Sequence, residues 1–330
     1  MSTGTSTGTS TGTSTGTSVG AGDRKTARRK RGRLTLLTRR DRWAIALFLA
    51  LPAVVHIFFV WVPALLSVLL SFTSWDGIGG VSAIEWVGAR NYEQIASIYP
   101  PFWPAVAHNL IWLGFFILIA TPFGMYLAVQ LDKGLKGSKF YQNALYLPVV
   151  LSLALVGFIW QLIYSPEEGL INNLLGRTDP ENLIDWLGDP SINLWMILIA
   201  ASWRHVGYIM ILYLAGLKSV DPTLTEAASI DGATSRQTFF RVVFPVLKPI
   251  NIVILVITII ESLRAFDIVY VTNKGTNGLE LLSVAVTNNI IGEASRVGFG
   301  SALAVILLVV SLGIIIPYLW HTFRSEDARR

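Results

Sequence analysis

Long apolar runs alternate with polar, charge-bearing connectors at 43–72, 106–131, 145–164, 194–217, 250–271 and 299–320. About twenty apolar residues in helical form cross the hydrocarbon core of a bilayer, so the pattern predicts six transmembrane helices. The runs are continuous rather than alternating, which excludes a membrane β-barrel, whose strands repeat with a period of two. Pro148 falls near the start of the third run, and proline is tolerated in a spanning helix when neighbours satisfy the freed backbone groups. The expected fold class is therefore an all-α membrane protein.

Composition agrees. Of 330 residues, 52% are hydrophobic and 14% charged, and the mean hydropathy is +0.55; a soluble domain carries about 25% charged residues. The charges are unevenly placed. Ten Lys and Arg residues crowd the arm from Arg24 to Arg42, Lys133, Lys136 and Lys139 follow the second run, and Lys218, Arg236, Arg241 and Lys248 lie between the fourth and fifth. The tail adds Arg324, Arg329 and Arg330, whereas the alternate connectors hold only Arg90, Arg177, Lys274 and Arg296. The positive-inside rule then puts both termini in the cytoplasm, N-in and C-in. The acidic connector with Glu167, Glu168, Asp179, Glu181, Asp185 and Asp189 falls outside. The net charge of +5 is mostly this asymmetry, suited to anionic membrane lipid, and no nucleic acid is expected as a partner.

The organisation follows. Residues 1–42 read as a disordered basic cytoplasmic arm, because Ser-Thr-Gly repeats bury no core. Residues 43–322 form the transmembrane domain, with a cytoplasmic loop at 218–249, and 323–330 form a cytoplasmic tail. The first run is too long for the apolar core of a signal peptide and lacks a small-x-small cleavage site, so it reads as an uncleaved span. Without cysteine there is neither a disulfide framework nor a thiol site.

The loop carries the most information. It contains TEAASIDGATSRQTFFRVVFPVLKP from Thr225 to Pro249. Thr223-x-x-Glu226 has the form of a capping box, and Asp221-Pro222 blocks continuation from upstream. Gly232 is a left-handed stop, Thr234-x-x-Gln237 is a second capping box, and Pro245 is expected to end the second helix. Glu226-Ala227-Ala228, Gly232 and Val242-x-Phe244-Pro245 keep the spacing of E-A-A-x3-G-x9-I-x-L-P, with Val for Ile and Phe for Leu. This resembles the EAA signature of ABC importer permeases. Leu147-Pro148, Phe158-Ile159-Trp160, Gly169-Leu170-Ile171-Asn172, Ala215-Gly216-Leu217, Phe266-Asp267-Ile268-Val269-Tyr270 and Gly298-Phe299-Gly300-Ser301-Ala302 add a likeness to maltose-type sugar permeases. Thr272–Thr276 departs from it where that group has a Gly-Gly-Pro turn, and the large external domain of the maltose permease is missing.

The resemblance covers roughly 43–322 and implies a type I ABC importer permease fold in a multi-pass bacterial cytoplasmic-membrane protein. It implies import of a carbohydrate, a di- or oligosaccharide, by a subunit that is not an enzyme. Glu226, Ala227, Ala228, Asp231, Gly232 and Pro245 would couple the loop to an ATPase. The implied partners are a second homologous permease subunit, two ATPase subunits and an extracellular solute-binding protein. This chain would bind no cofactor, with ATP and Mg on the partner ATPase. The residues agree that hydrolysis belongs elsewhere: no G-x-x-x-x-G-K-[ST] occurs, and His56, His108, His205 and His321 lack metal-ligand spacing.

Charges at membrane depth mark a candidate pathway. Arg204 falls mid-span between Trp203 and His205; Glu261 and Arg264 are three apart, expected on one helical face, with Asp267 a turn further on. An ionised group at the bilayer centre costs about 3 kcal/mol or more, so these groups should face a wet cavity or one another. Sugar hydroxyls need such partners, and Trp160, Trp203, Tyr208 and Phe266 offer faces for pyranose rings. A structural Arg204–Glu261 or Glu261–Arg264 pair, and interfacial belt positions for the aromatics, are the competing readings. Other functions remain open from sequence: import of a polyol or glycerol phosphate, an ion-driven secondary transporter, or a membrane-embedded enzyme using Glu261 and Asp267 as acid and base.

Overall fold

The computed structural model describes residues 38–292 and 295–327, and among these it is built of helices with one isolated β-bridge, Thr73 to Trp86. Most of the expected basic arm (1–37) and the end of the tail (328–330) lie outside the described residues. Two units are distinguished, 1–56 and 57–330. In the first, α1 runs Arg39–His56, ahead of the expected start at 43. The reason is local: Thr38 N–H donates to Asp41 Oδ2 at 2.9 Å and Asp41 N–H donates to Thr38 Oγ1 at 3.2 Å, a reciprocal cap that begins the helix inside the basic stretch.

In the second unit, α2 (Val62–Leu70) is followed by an irregular segment, α3 (Arg90–Ser97), α4 (Phe102–Phe115) and α5 (Thr121–Asp132). A π turn at Phe116–Ala120 joins the last two. Next come α6 (Ser138–Val150), α7 (Leu153–Ile163), short α8 (Leu170–Leu174) and the long α9 (Asn193–Lys218). The remainder comprises α10 (Pro222–Ile230), α11 (Ser235–Thr238), α12 (Phe244–Val246), α13 (Lys248–Leu263), α14 (Asp267–Asn273), α15 (Leu282–Ile290) and α16 (Val297–Asp327).

Four stretches are long and apolar enough to span unaided: Arg40–Leu70, Phe102–Asp132, Asn193–Lys218 and Val297–Thr322. The third expected span is instead a bent pair, and the fifth lies within the second arm of another, whose first arm belongs to the polar loop. Ser138–Val150 and Leu153–Ile163 meet at 103°, and Ser235–Val246 and Lys248–Asn273 at 75°. The first bend falls at Leu151 and Ser152, both extended, where the Ser152 hydroxyl accepts the Leu155 amide at 3.2 Å and restarts the helix.

The centre of packing is α9, the most buried of the four long stretches. One end packs with Trp112, Phe116, Val156 and Ile268; the other, through Ile209, Met210 and Tyr213, packs with Ala128, Val243 and Ile254. Gly207 permits the approach to α6: a Cβ there would sit 2.3 Å from the Leu145 carbonyl oxygen, and backbone cannot yield as a side-chain tip can. Gly207→Val should therefore deplete the folded subunit, an overpacking cost of about 1–3 kcal/mol or more, measurable as membrane-extracted monodisperse protein against wild type. Large apolar residues such as Leu118, Phe140 and Val150 remain exposed, as surfaces that face lipid do.

Candidate functional site: the coupling segment and the charged cavity

The polar segment folds as two short helices around a left-handed glycine. The expected Thr223–Glu226 box does not form. Pro222 occupies the first turn of α10, so the cap moves upstream to Asp221, whose Oδ1 accepts the Thr223 amide at 2.9 Å. That backbone hydrogen bond holds the Asp221 carboxyl below its ordinary value, so the cap is fully charged at neutral pH. Gly232 adopts φ +77°, and the Ala233 amide returns to the Ala228 carbonyl at 2.9 Å, closing the helix end. The second box is present, with the Thr234 amide donating to Gln237 Oε1 at 2.8 Å and the Gln237 amide to Thr234 Oγ1 at 3.4 Å.

Pro245 does not end the second helix. A π turn at Phe239–Val243 precedes it, Pro245 sits in the first turn of α12, and the chain turns only at Leu247. A proline lacks the N–H that the preceding turn would accept; the widened turn absorbs that loss. Ala228 is buried, whereas Glu226, Ala227, Asp231, Gly232 and Pro245 are exposed. Beside them Leu224, Ile230, Phe240 and Val246 also present apolar surface. A groove of about 580 Å³ runs behind the segment, and at its edge Lys218 Nζ lies 2.8 Å from Asp132, tying α9 to α5.

The second site is a cavity of about 200 Å³ bounded by Trp112, Phe116, Arg204, Glu261, Arg264 and Asp267. Glu261 Oε1 lies 3.5 Å from Arg204, and its Oε2 is 2.8 Å from His205 Nδ1. The other ring nitrogen of His205 lies 3.4 Å from Thr121 and 3.5 Å from Thr258, and its ring packs on Phe116 at 4.2 Å. Nearly all of His205 is buried. If Nδ1 donates to the carboxylate, Nε2 accepts from the threonine hydroxyls. Three elements (α5, α9 and α13) thus meet in one hydrogen-bonded network. Among the described residues the indole N–H of Trp112 and Nε of Arg204 are buried without an acceptor; they are donors that a hydroxylated ligand would satisfy.

Arg264 and Asp267 do not share one helical face. α13 stops at Leu263, and Asp267 opens α14 after an interruption at Arg264, Ala265 and Phe266. Both charged residues are exposed, and neither makes an ion pair among the described residues. They also line a neighbouring cavity of about 590 Å³ with Ile260 and Phe266, and Phe266 stacks on Tyr270 at 4.9 Å. Trp160 and Trp203 lie outside the lining of both cavities; they meet edge-on at 6.0 Å. Tyr208 packs against the Ala128–Ile209 core. His205, which sequence inspection passed over, is the partner that completes the Glu261 site; its signal was a histidine adjoining an arginine inside an apolar span.

The sequence from residue 14 to 323 matches the model of the family described as binding-protein-dependent transport system inner membrane component. The chain is 32% identical over 259 residues to the xylose/arabinose import permease protein XacH of Haloferax volcanii, covering 78% of this chain and 80% of that protein. It is 31% identical over 234 residues to the trehalose/maltose transport system permease protein MalF of Thermococcus litoralis, covering 71% and 79%. In fold it resembles a chain of a bacterial alginate ABC transporter crystallised with an alginate pentasaccharide-bound periplasmic protein. The TM-score is 0.69 at 22% identity, over 84% of this chain and 93% of that one. The match over nearly the whole chain, with the capped two-helix segment between apolar helices, places this chain in the family of binding-protein-dependent transport system inner membrane components, as a multi-pass permease subunit and not an enzyme.

Proposed function

We propose that this subunit forms half of the translocation path of an ATP-driven importer of a di- or oligosaccharide in the bacterial cytoplasmic membrane. The observation that carries the reading is the exposed Glu226–Gly232 stretch of a coupling segment whose two ends run into α9 and α13. Those helices carry Arg204, His205 and Glu261 into the cavity, so motion at one end has a rigid route to the other. The partners are a second homologous permease subunit, two ATPase subunits that hold ATP and Mg, and an extracellular solute-binding protein. Counting each bent pair as one span gives six spans with both termini in the cytoplasm and lipid around the apolar exterior. The relatives' cargoes and the hydrogen-bonding groups of the cavity support a carbohydrate; Arg264, Asp267 and the unpaired donors of Trp112 and Arg204 match hydroxyl groups better than an apolar solute.

The test is reconstitution of the complete complex in liposomes with labelled arabino-, xylo- and malto-oligosaccharides. Uptake should require the binding protein outside and ATP inside. Uptake driven by a proton or sodium gradient without the ATPase would overturn the reading, and preference for glycerol phosphate would redirect the cargo. Orientation has its own check. Asp185→Cys should react with an impermeant thiol reagent in intact cells and Ser229→Cys should not, on a chain with no native cysteine. External labelling of Ser229→Cys would reverse the assigned orientation.

A further inference from the structure

The interruption at Arg264–Phe266 is not written in the local sequence. From Glu261 to Lys274 there is neither glycine nor proline, and Arg264-Ala265 are good helix formers. In a continuous helix the amides of Phe266 and Asp267 would bond the carbonyls of Ser262 and Leu263. Another element reaches those carbonyls, although Ser262 O also accepts the Ala265 amide at 3.5 Å. The side-chain amide of Asn109, on α4, donates to Ser262 O at 3.3 Å and to Leu263 O at 3.5 Å. Its own Oδ1 accepts the Leu282 amide at 3.0 Å, at the start of α15. The Ser283 hydroxyl donates to the Ala265 carbonyl. Asn109 is almost wholly buried, where the only partners for its amide are protein groups. One side chain therefore gathers the end of α13 and the beginning of α15 against α4.

We propose that Asn109 is the positioning residue of the sugar site: it keeps the fifth span interrupted and so turns Arg264 and Asp267 toward the two cavities they share. The proposal rests on the carbohydrate-path reading of that cavity. Without the Asn109 donors, Phe266 and Asp267 amides take the Ser262 and Leu263 carbonyls, the helix closes, and the two charges return to one helical stripe. Asn109→Leu keeps the branched four-atom side chain and removes both the donors and the acceptor, at the cost of some added volume. Ser283→Ala is the milder variant, removing only the bond to Ala265.

The experiment uses the assembled complex in liposomes and an Asp267→Cys reporter, with Asp185→Cys as a control on the acidic connector. A hydrophilic thiol reagent should modify Asp267→Cys about fivefold more slowly in the Asn109→Leu background, the factor that one net hydrogen bond is worth, with the control unchanged. Without the reporter, Asn109→Leu should lower discrimination between the transported sugar and an epimer by a similar factor at normal subunit yield. If Asn109→Leu does not assemble, Ser283→Ala should show the same slowing at about twofold, the low end of what one net hydrogen bond is worth. An unchanged rate at Asp267→Cys, or equal acceleration at both reporters, would overturn the proposal in favour of plain packing. Absence of carbohydrate uptake by the wild-type complex would strike the transport reading instead, leaving the reporter rates to judge the interruption.

Discussion

Glu226→Lys should abolish uptake while leaving the subunit inserted and monodisperse. Glu226 is exposed, outside the apolar runs, and makes no ion pair among the described residues; nothing in this subunit's own packing needs its charge. Under the proposed coupling it accepts a charge-assisted bond from a basic group of the ATPase, worth about 1.5–3 kcal/mol. Reversing its sign removes that bond and adds repulsion, so the combined loss exceeds about 1.4 kcal/mol, which is a factor of ten in affinity. Gly232→Pro should fail by a different route. Its φ of +77° lies far from the value near −65° that proline imposes, and its amide donates to the Ser229 carbonyl at 3.1 Å. The turn between α10 and α11 would open and misplace Glu226 without touching the cavity. Uptake and co-purification with the ATPase are measured together: both should collapse, with unchanged membrane insertion. Normal transport by Glu226→Lys would remove the coupling role from this segment.

What the sequence disclosed and what it hid divide along a physical line. The Gly232 stop and the Thr234–Gln237 box were legible because both are local, each satisfied within a few residues. The straight spans were legible because bilayer crossing demands length and apolarity. Hidden were features decided by distant groups. Asn109 interrupts the fifth span from 153 and 154 residues away. His205 gains its meaning only from Glu261, 56 residues on. The expected stripe of Glu261, Arg264 and Asp267 assumed that helix-forming sequence stays helical, which tertiary donors override. The Thr223 box failed for a subtler reason: two caps competed within three residues, and the proline at 222 favoured Asp221. The Trp160–Trp203 pair, edge-on at 6.0 Å and outside the lining of both cavities, is another meeting that tertiary packing decides.

Arg204→Gln and Glu261→Gln should separate transport from assembly, because the network around them is unequal. Glu261 has two cationic or donor neighbours, Arg204 at 3.5 Å and His205 at 2.8 Å. Losing Arg204 leaves the carboxylate with the His205 bond, so Arg204→Gln should assemble at near-normal level. Losing the Glu261 charge leaves a half-buried guanidinium without its counter-ion; its Nε already has no acceptor among the described residues. Removing one partner of a buried pair costs about 3–5 kcal/mol, less here because both side chains retain some exposure, and Glu261→Gln should accordingly lose most of its folded yield. The double variant removes both charges together and should regain wild-type yield. Transport should not return with it. If the pair lines the sugar path, the double variant remains at least about tenfold slow, since charge-assisted bonds to hydroxyls weaken by about 1.5 kcal/mol or more when made neutral. Purified yield and uptake rate, measured on the same preparations, test both halves. Recovery of transport in step with yield would make Arg204 and Glu261 a structural pair only, and wild-type rates in both single variants would remove them from the site altogether.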